Sequence, residues 1–174
     1  TLNNIPKAQY NLIISPWLGL ENVIHLKEKF GTEYFQYPIL PIGPKETGKF
    51  LRTVGNFLGI DANVVESEIE RQEDRYFYYL ERAADVLLET RLLPKHFVTI
   101  SDSAYCLALS KFLINDLGLL PKKQFITEGV PKEYEKQVKQ HFKGFYNDIV
   151  PEIEFTDDGG KVNEYLRNSN FRTK

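Results

Sequence analysis

The sequence predicts an α/β protein of Rossmann-like parallel-sheet layers with flanking helices, carrying parts of two domains joined by a long helix. Short apolar runs bounded by Gly, Pro and Ser alternate with helical periodicity through most of the 174 residues. Beyond Pro94 three such units repeat, their strands starting about 27 residues apart. Between the first and second sets lies residues 61–93, a stretch free of Gly and Pro.

Residues 11–15 (NLIIS) form a short apolar run stopped at Ser15-Pro16 and read as a buried strand. Leu20, Val23, Ile24 and Leu26 follow at near-helical spacing, and Gly31 ends that helix. Residues 34–40 (YFQYPIL) are extended, with Pro38 marking an edge strand or an early break. After the turn Pro41-Ile42-Gly43-Pro44, Thr47 or a neighbour caps a helix that carries Phe50, Leu51, Val54, Phe57 and Leu58 and stops at Gly59. Domain organisation follows: 1–60 belongs to one layer, 61–93 connects, and 94–174 belongs to another.

The connecting helix has Asp61 as its expected N-cap and Pro94 as its stop. Its first half is acidic (Glu66, Glu68, Glu70, Glu73, Asp74) and its second aromatic and apolar (Tyr76, Phe77, Tyr79, Leu80, Leu87, Leu88). That division predicts a first half in water and a second half buried. In the last layer, strands at 97–100, 124–127 and 152–155 are each followed by a helix, at 103–117, 132–142 and 160–167. The repeat is the βαβ pattern of a parallel sheet. The polar tail from Arg167 reads as fraying, and the unfinished layers and the absence of Met predict a piece of a longer subunit.

Composition narrows the function. A net charge of -2 argues against a nucleic-acid or membrane-surface protein, whose partners demand a basic excess. No apolar run is long enough to span a bilayer and no leader precedes the first strand, so a soluble, cytoplasmic protein is expected. Cys106 is the lone cysteine, so neither a disulfide nor a thiolate-built cluster is expected from this chain, and Cys106 itself reads as a small core hydrophobe. His25, His96 and His141 share no ligand spacing. No catalytic residue and no metal ligand is assigned.

Ser101-Asp102-Ser103 lies where a strand turns into a helix, the position at which open α/β sheets offer free N–H groups to ligands. Simple capping by Asp102 or Ser103 is the favoured reading. Residues 127–131 (TEGVP) and 156–160 (TDDGG) occupy equivalent turns; an acidic residue there could hold a ribose hydroxyl, although turn chemistry alone accounts for it. The run Tyr76 to Tyr79 could stack on a flat ligand such as a tetrapyrrole, but aromatics at this spacing more often form core.

Residues 38–51 (PILPIGPKETGKFL) resemble nitrogenase component 1 proteins. Residues 74–84 (DRYFYYLERAA), 96–115 (HFVTISDSAYCLALSKFLIN) and 116–127 (DLGLLPKKQFIT) extend the resemblance in the same order. The family includes molybdenum, vanadium and iron-only nitrogenases, cofactor-assembly scaffolds and protochlorophyllide reductase subunits. The resemblance implies an oxidoreductase of three Rossmann-like domains around metal clusters, and the match falls on the end of the middle domain and the start of the last. It looks closest to the beta-type subunit of molybdenum-iron or alternative nitrogenases, with a related cofactor-assembly or protochlorophyllide reductase subunit also open. For the whole complex it implies a paired alpha-type subunit in a heterotetramer, an ATP-hydrolysing iron–sulfur partner, a P-cluster-type iron–sulfur centre and a metal–sulfur cofactor. None of these cofactors is expected within this segment, which alone should be inactive. Ile42, Gly43, Thr47, Ser101, Asp102 and Ser103 are the candidate cofactor-side residues, at turns near interdomain surfaces.

Two readings from other classes stand beside it. One is a two-lobed module that clamps a small molecule or metal chelate. The other is an enzyme using an anion or nucleotide sugar at the 101–103 turn.

Overall fold

The computed structural model describes residues 2–90 and 95–169, without the side chains of 2, 3, 6 and 87–90. The order after a short 3₁₀ segment is β1 (Tyr10–Ile14), α1 (Leu20–Phe30), β2 (Glu33–Tyr37), α2 (Pro44–Leu58), α3 (Ala62–Thr90), β3 (His96–Ser101), α4 (Ser103–Asn115), β4 (Leu120–Ile126), α5 (Lys132–His141), β5 (Glu152–Phe155) and α6 (Gly159–Asn168). Strands β1 and β2 pair in parallel, and β3-β4-β5 form a second sheet, also parallel throughout. The Rossmann-like α/β expectation therefore holds. We call the β1–β2 half the first lobe and the β3–β5 half the second.

Glycine sets several boundaries. Gly31 and Gly59 end α1 and α2 in the left-handed conformation, at φ 70° and 68°, where a side chain would be strained. Helix α2 starts three residues before the expected Thr47 cap. Pro44 occupies its first turn, where a missing N–H costs nothing, and Thr47 sits inside that turn with its hydroxyl donating to the Pro41 carbonyl at 3.5 Å. Asp102 caps α4 by accepting from the Tyr105 N–H at 2.9 Å, and Asp158 caps α6 through the Gly160 N–H at 2.8 Å. Strand β4 starts earlier than the apolar run suggests. Its first residues, Leu120 and Pro121, pair with His96 and Phe97, and the register then slips by one residue between Phe97 and Val98, beside a proline with no N–H to donate.

Helix α3 corrects the expected burial. Its acidic first half packs along α2, with Ile69 buried at 2% exposure. Phe77, Tyr78 and Tyr79 of its second half are 52%, 48% and 59% exposed. Gly55 of α2 explains the first half. A Cβ there would lie 2.7 Å from Val65, so its absence lets the two helices close. The side chains of Leu87 and Leu88 and the expected stop at Pro94 lie outside what is described, as does the tail beyond Ser169.

The two lobes are not separate cores. Tyr37 and Ile39 from the first lobe join Cys106, Leu107, Ala108, Ile114, Ile126, Val138, Phe142 and Phe145 from the second in one apolar cluster. Helix α4 is apolar nearly all round because it lies inside, between its own sheet and the first lobe. No helix among the described residues is long and apolar enough to cross a membrane.

Candidate functional site: the junction between the lobes

The lobes meet along α4, and the six residues singled out in the sequence divide between its two ends. Ser101, Asp102 and Ser103 stand at its N-terminus. Gly43 stands at its C-terminus, where a Cβ would lie 2.4 Å from Phe112 and 3.1 Å from Asp116 Oδ2. Nine residues at 1.5 Å each separate Ser103 from Phe112 by about 14 Å. Ile42 packs on the shared apolar cluster beside Gly43, and Thr47 continues into the first turn of α2. The structure thus makes two clusters of them, not one.

At the N-terminal end the Glu128 carboxylate reaches across from the β4–α5 turn. Its Oε1 accepts the Ser103 N–H at 2.8 Å and the Trp17 indole N–H at 3.1 Å. The indole also lies 3.2 Å from Ser103 Oγ. Ser103 is 1% exposed. A carboxylate at the first N–H of a helix is favoured by the helix dipole as well as by the hydrogen bond. Glu128 thereby fills the place at a strand end where a ligand anion would otherwise sit. The sequence suggested a ribose contact or a plain turn for Glu128; the structure shows a tie to Trp17, 111 residues away. Trp17 drew no notice in the sequence, and only its position directly after the first strand end could have flagged it.

At the C-terminal end of α4 a second polar group is buried between the lobes. Tyr37 donates to the Glu46 carboxylate at 2.6 Å, and Glu46 is 5% exposed. Burial, then the bond to Glu46, pushes the Tyr37 phenol well above its ordinary range. Lys111 of α4 feels the Glu46 charge across the junction; burial lowers its pKa, and Glu46 opposes that shift. Burial likewise raises Asp116, against the pull of Lys45. Tyr76 of α3 is raised by burial and by Asp116. A groove of about 430 Å³ opens beside this group, lined by Gly43, Thr47, Leu51, Ile69, Tyr76 and Phe112 among others.

Cys106 does not fit an iron–sulfur ligand. It is fully buried, its thiol lies 3.3 Å from the Phe125 carbonyl and 3.6 Å from that of Ser101, and burial raises its pKa, against the thiolate a cluster needs. The three histidines stay apart: His25 is exposed on α1, His96 opens β3, and His141 closes α5, where burial and Lys111 lower its pKa. Among the described residues no group of three or more His, Cys, Asp or Glu is placed to hold a metal ion.

The family described as nitrogenase component 1 type oxidoreductase matches residues 1–171. The chain belongs to that family. Among similar members is a light-independent protochlorophyllide reductase subunit from Crocosphaera subtropica, 25% identical over 170 residues, which cover 95% of this chain and 31% of that protein. The corresponding protein of Rippkaea orientalis is 24% identical over 169 residues, with the same coverage. That of a Bradyrhizobium species is 29% identical over 117 residues, or 67% of this chain and 21% of the relative. The chain therefore spans about a third of the length of the first two of these relatives. These relatives carry the protochlorophyllide name, the branch that the sequence reading had kept open beside a nitrogen-fixing beta-type subunit.

Proposed function

We infer that this chain is the interdomain part of a component 1-type reductase subunit, in the tetrapyrrole-reducing branch of the family. In this reading residues 1–60 and 94–174 are parts of two Rossmann-like domains and 61–93 is the helix between them. The segment's task is to hold those domains at a fixed angle while other parts of the complex carry the redox centres and the substrate. Electrons come from an ATP-hydrolysing iron–sulfur partner, a second, alpha-type subunit completes the assembly, and the complex works in the cytoplasm. A cluster supplies the electron-transfer chemistry when bound, and the residues here do not fit as its ligands.

One observation carries the reading: a family match across 171 residues in a chain whose only thiol is locked in the core. The relatives' names favour the tetrapyrrole branch over dinitrogen reduction. A two-lobed ligand clamp has less to support it, since Trp17 and Glu128 already fill the strand-end crevice where its ligand would lie.

The test uses the complete subunit, purified with its partner subunits. ATP-dependent reduction of protochlorophyllide, followed by absorbance, is the expected result. Reduction of dinitrogen or acetylene instead, with protochlorophyllide untouched, overturns the branch. Cys106→Ala should leave the iron content unchanged; loss of iron from a folded variant would overturn the scaffold role.

A further inference from the structure

The loop 15–19 after β1 is held from both lobes at once. The Pro16 carbonyl accepts the Gln36 amide of the first lobe at 3.3 Å and the Gln137 amide of the second at 3.0 Å. Within the loop, the Trp17 and Leu18 N–H groups both point to Ser15 Oγ, at 3.3 and 2.9 Å, which fixes the direction in which the indole leaves the chain. The indole then crosses to the second lobe, where it meets Glu128 and Ser103 and lies 5.7 Å from the Tyr134 ring. Tyr134 returns the connection by donating to Glu21 of α1 at 3.1 Å.

We propose that this loop is a clasp that fixes the angle between the lobes, with the Glu128 carboxylate as its catch. The proposal rests on the junction's geometry and not on the redox reading. A single oxygen, Glu128 Oε1, binds one N–H from each lobe: the indole of Trp17 and the first N–H of α4. Losing that oxygen takes the acceptor from the Ser103 N–H and leaves the indole only the longer contact to Ser103 Oγ, so the tie between the lobes weakens on both sides together. The shared apolar cluster around Tyr37 and Leu107 holds the lobes in contact whether or not the catch is made. Breaking the catch should therefore loosen the angle without unfolding the chain.

Trp17 is the sole tryptophan of these 174 residues, so in this chain its emission reports on the catch. In Glu128→Ala the emission of Trp17 should shift to the red and acrylamide quenching should rise several-fold, with the far-ultraviolet dichroism unchanged. Glu128→Gln keeps an acceptor oxygen and should fall between Ala and the parent, which preserves the test if the Ala variant does not fold. Spin labels placed through Lys29→Cys and Lys161→Cys, on exposed positions of α1 and α6, should show one narrow distance in the parent and a broadened one in the Glu128 variants. In a double-mutant cycle, Trp17→Phe and Glu128→Ala should each lower the folded-to-unfolded ratio about ten-fold and together hardly more. Equal Trp17 exposure in all three proteins, an unmoved label distance or additive losses in the cycle would each overturn the clasp.

Discussion

The two halves of α3 invert the usual relation between polarity and burial. The first half carries most of the helix's carboxylates and is the half that packs; the second carries the aromatic rings and leaves Phe77, Tyr78 and Tyr79 exposed. The difference lies in the partner helix. Val65 and Ile69, one turn apart, form a narrow apolar seam inside the acidic half. It faces Gly48 and Gly55, two turns apart on α2, where a Cβ would come within 3.5 Å of Ile69 and 2.7 Å of Val65. Two small residues at that spacing let a thin seam reach its neighbour, while the carboxylates spread to the flanks. Glu66 takes a two-bond contact from Arg52 of α2, and Glu68 takes one from Arg71. Tyr78 meets Tyr79 ring to ring and lies under the Arg82 guanidinium, both contacts made within α3 itself. Burial along this helix was decided by complementary shape more than by average hydrophobicity.

Substitutions can break or sharpen that contrast. The largest effect belongs to Ile69→Ala, which removes a 2%-exposed side chain from the seam. It should cost about 3 kcal/mol in urea denaturation. Gly55→Ala should cost about 1 kcal/mol, the clash with Val65 outweighing the better helix propensity of alanine. A gain in stability there would mean that α2 and α3 do not need their close approach. In the exposed half, Phe77→Ala and Tyr79→Ala should change stability by no more than about 0.5 kcal/mol. A large loss in either would show that these rings are covered. The smallest effect is expected from Arg52→Ala. Its ion pair with Glu66 stands in solvent, so the loss should be slight at low salt and should disappear when a melting series is repeated near ~1 M salt.

Much of the fold was readable from local chemistry. Gly31 and Gly59 ended helices because only glycine takes the left-handed conformation there without strain. Asp102 and Asp158 capped the helices they precede because a carboxylate one residue before a helix has free N–H groups within reach. The repeat of strand, turn and helix beyond Pro94 gave three parallel strands in sequence order. Local rules did less well where two signals competed. At Thr47 a good capping residue lost to Pro44, which fits the first turn three residues earlier. At Leu120 and Pro121 a proline disguised the start of a strand.

The junction was the part least open to reading. Its chemistry depends on pairs such as Trp17 with Glu128, 111 residues apart, and Gly43 with Phe112, whose members lie on different lobes. By itself the sequence determined the α/β class, the order of elements, most helix boundaries and the core position of Cys106, because each follows from periodicity, backbone stereochemistry or side-chain polarity within a few residues. Only the tertiary structure decided which face of α3 is covered, that Glu128 reaches the α4 N-terminus, and that the six turn residues divide between two ends of one helix. Those outcomes depend on how two packed surfaces fit, and a shape shared between distant segments leaves no periodic mark in either one.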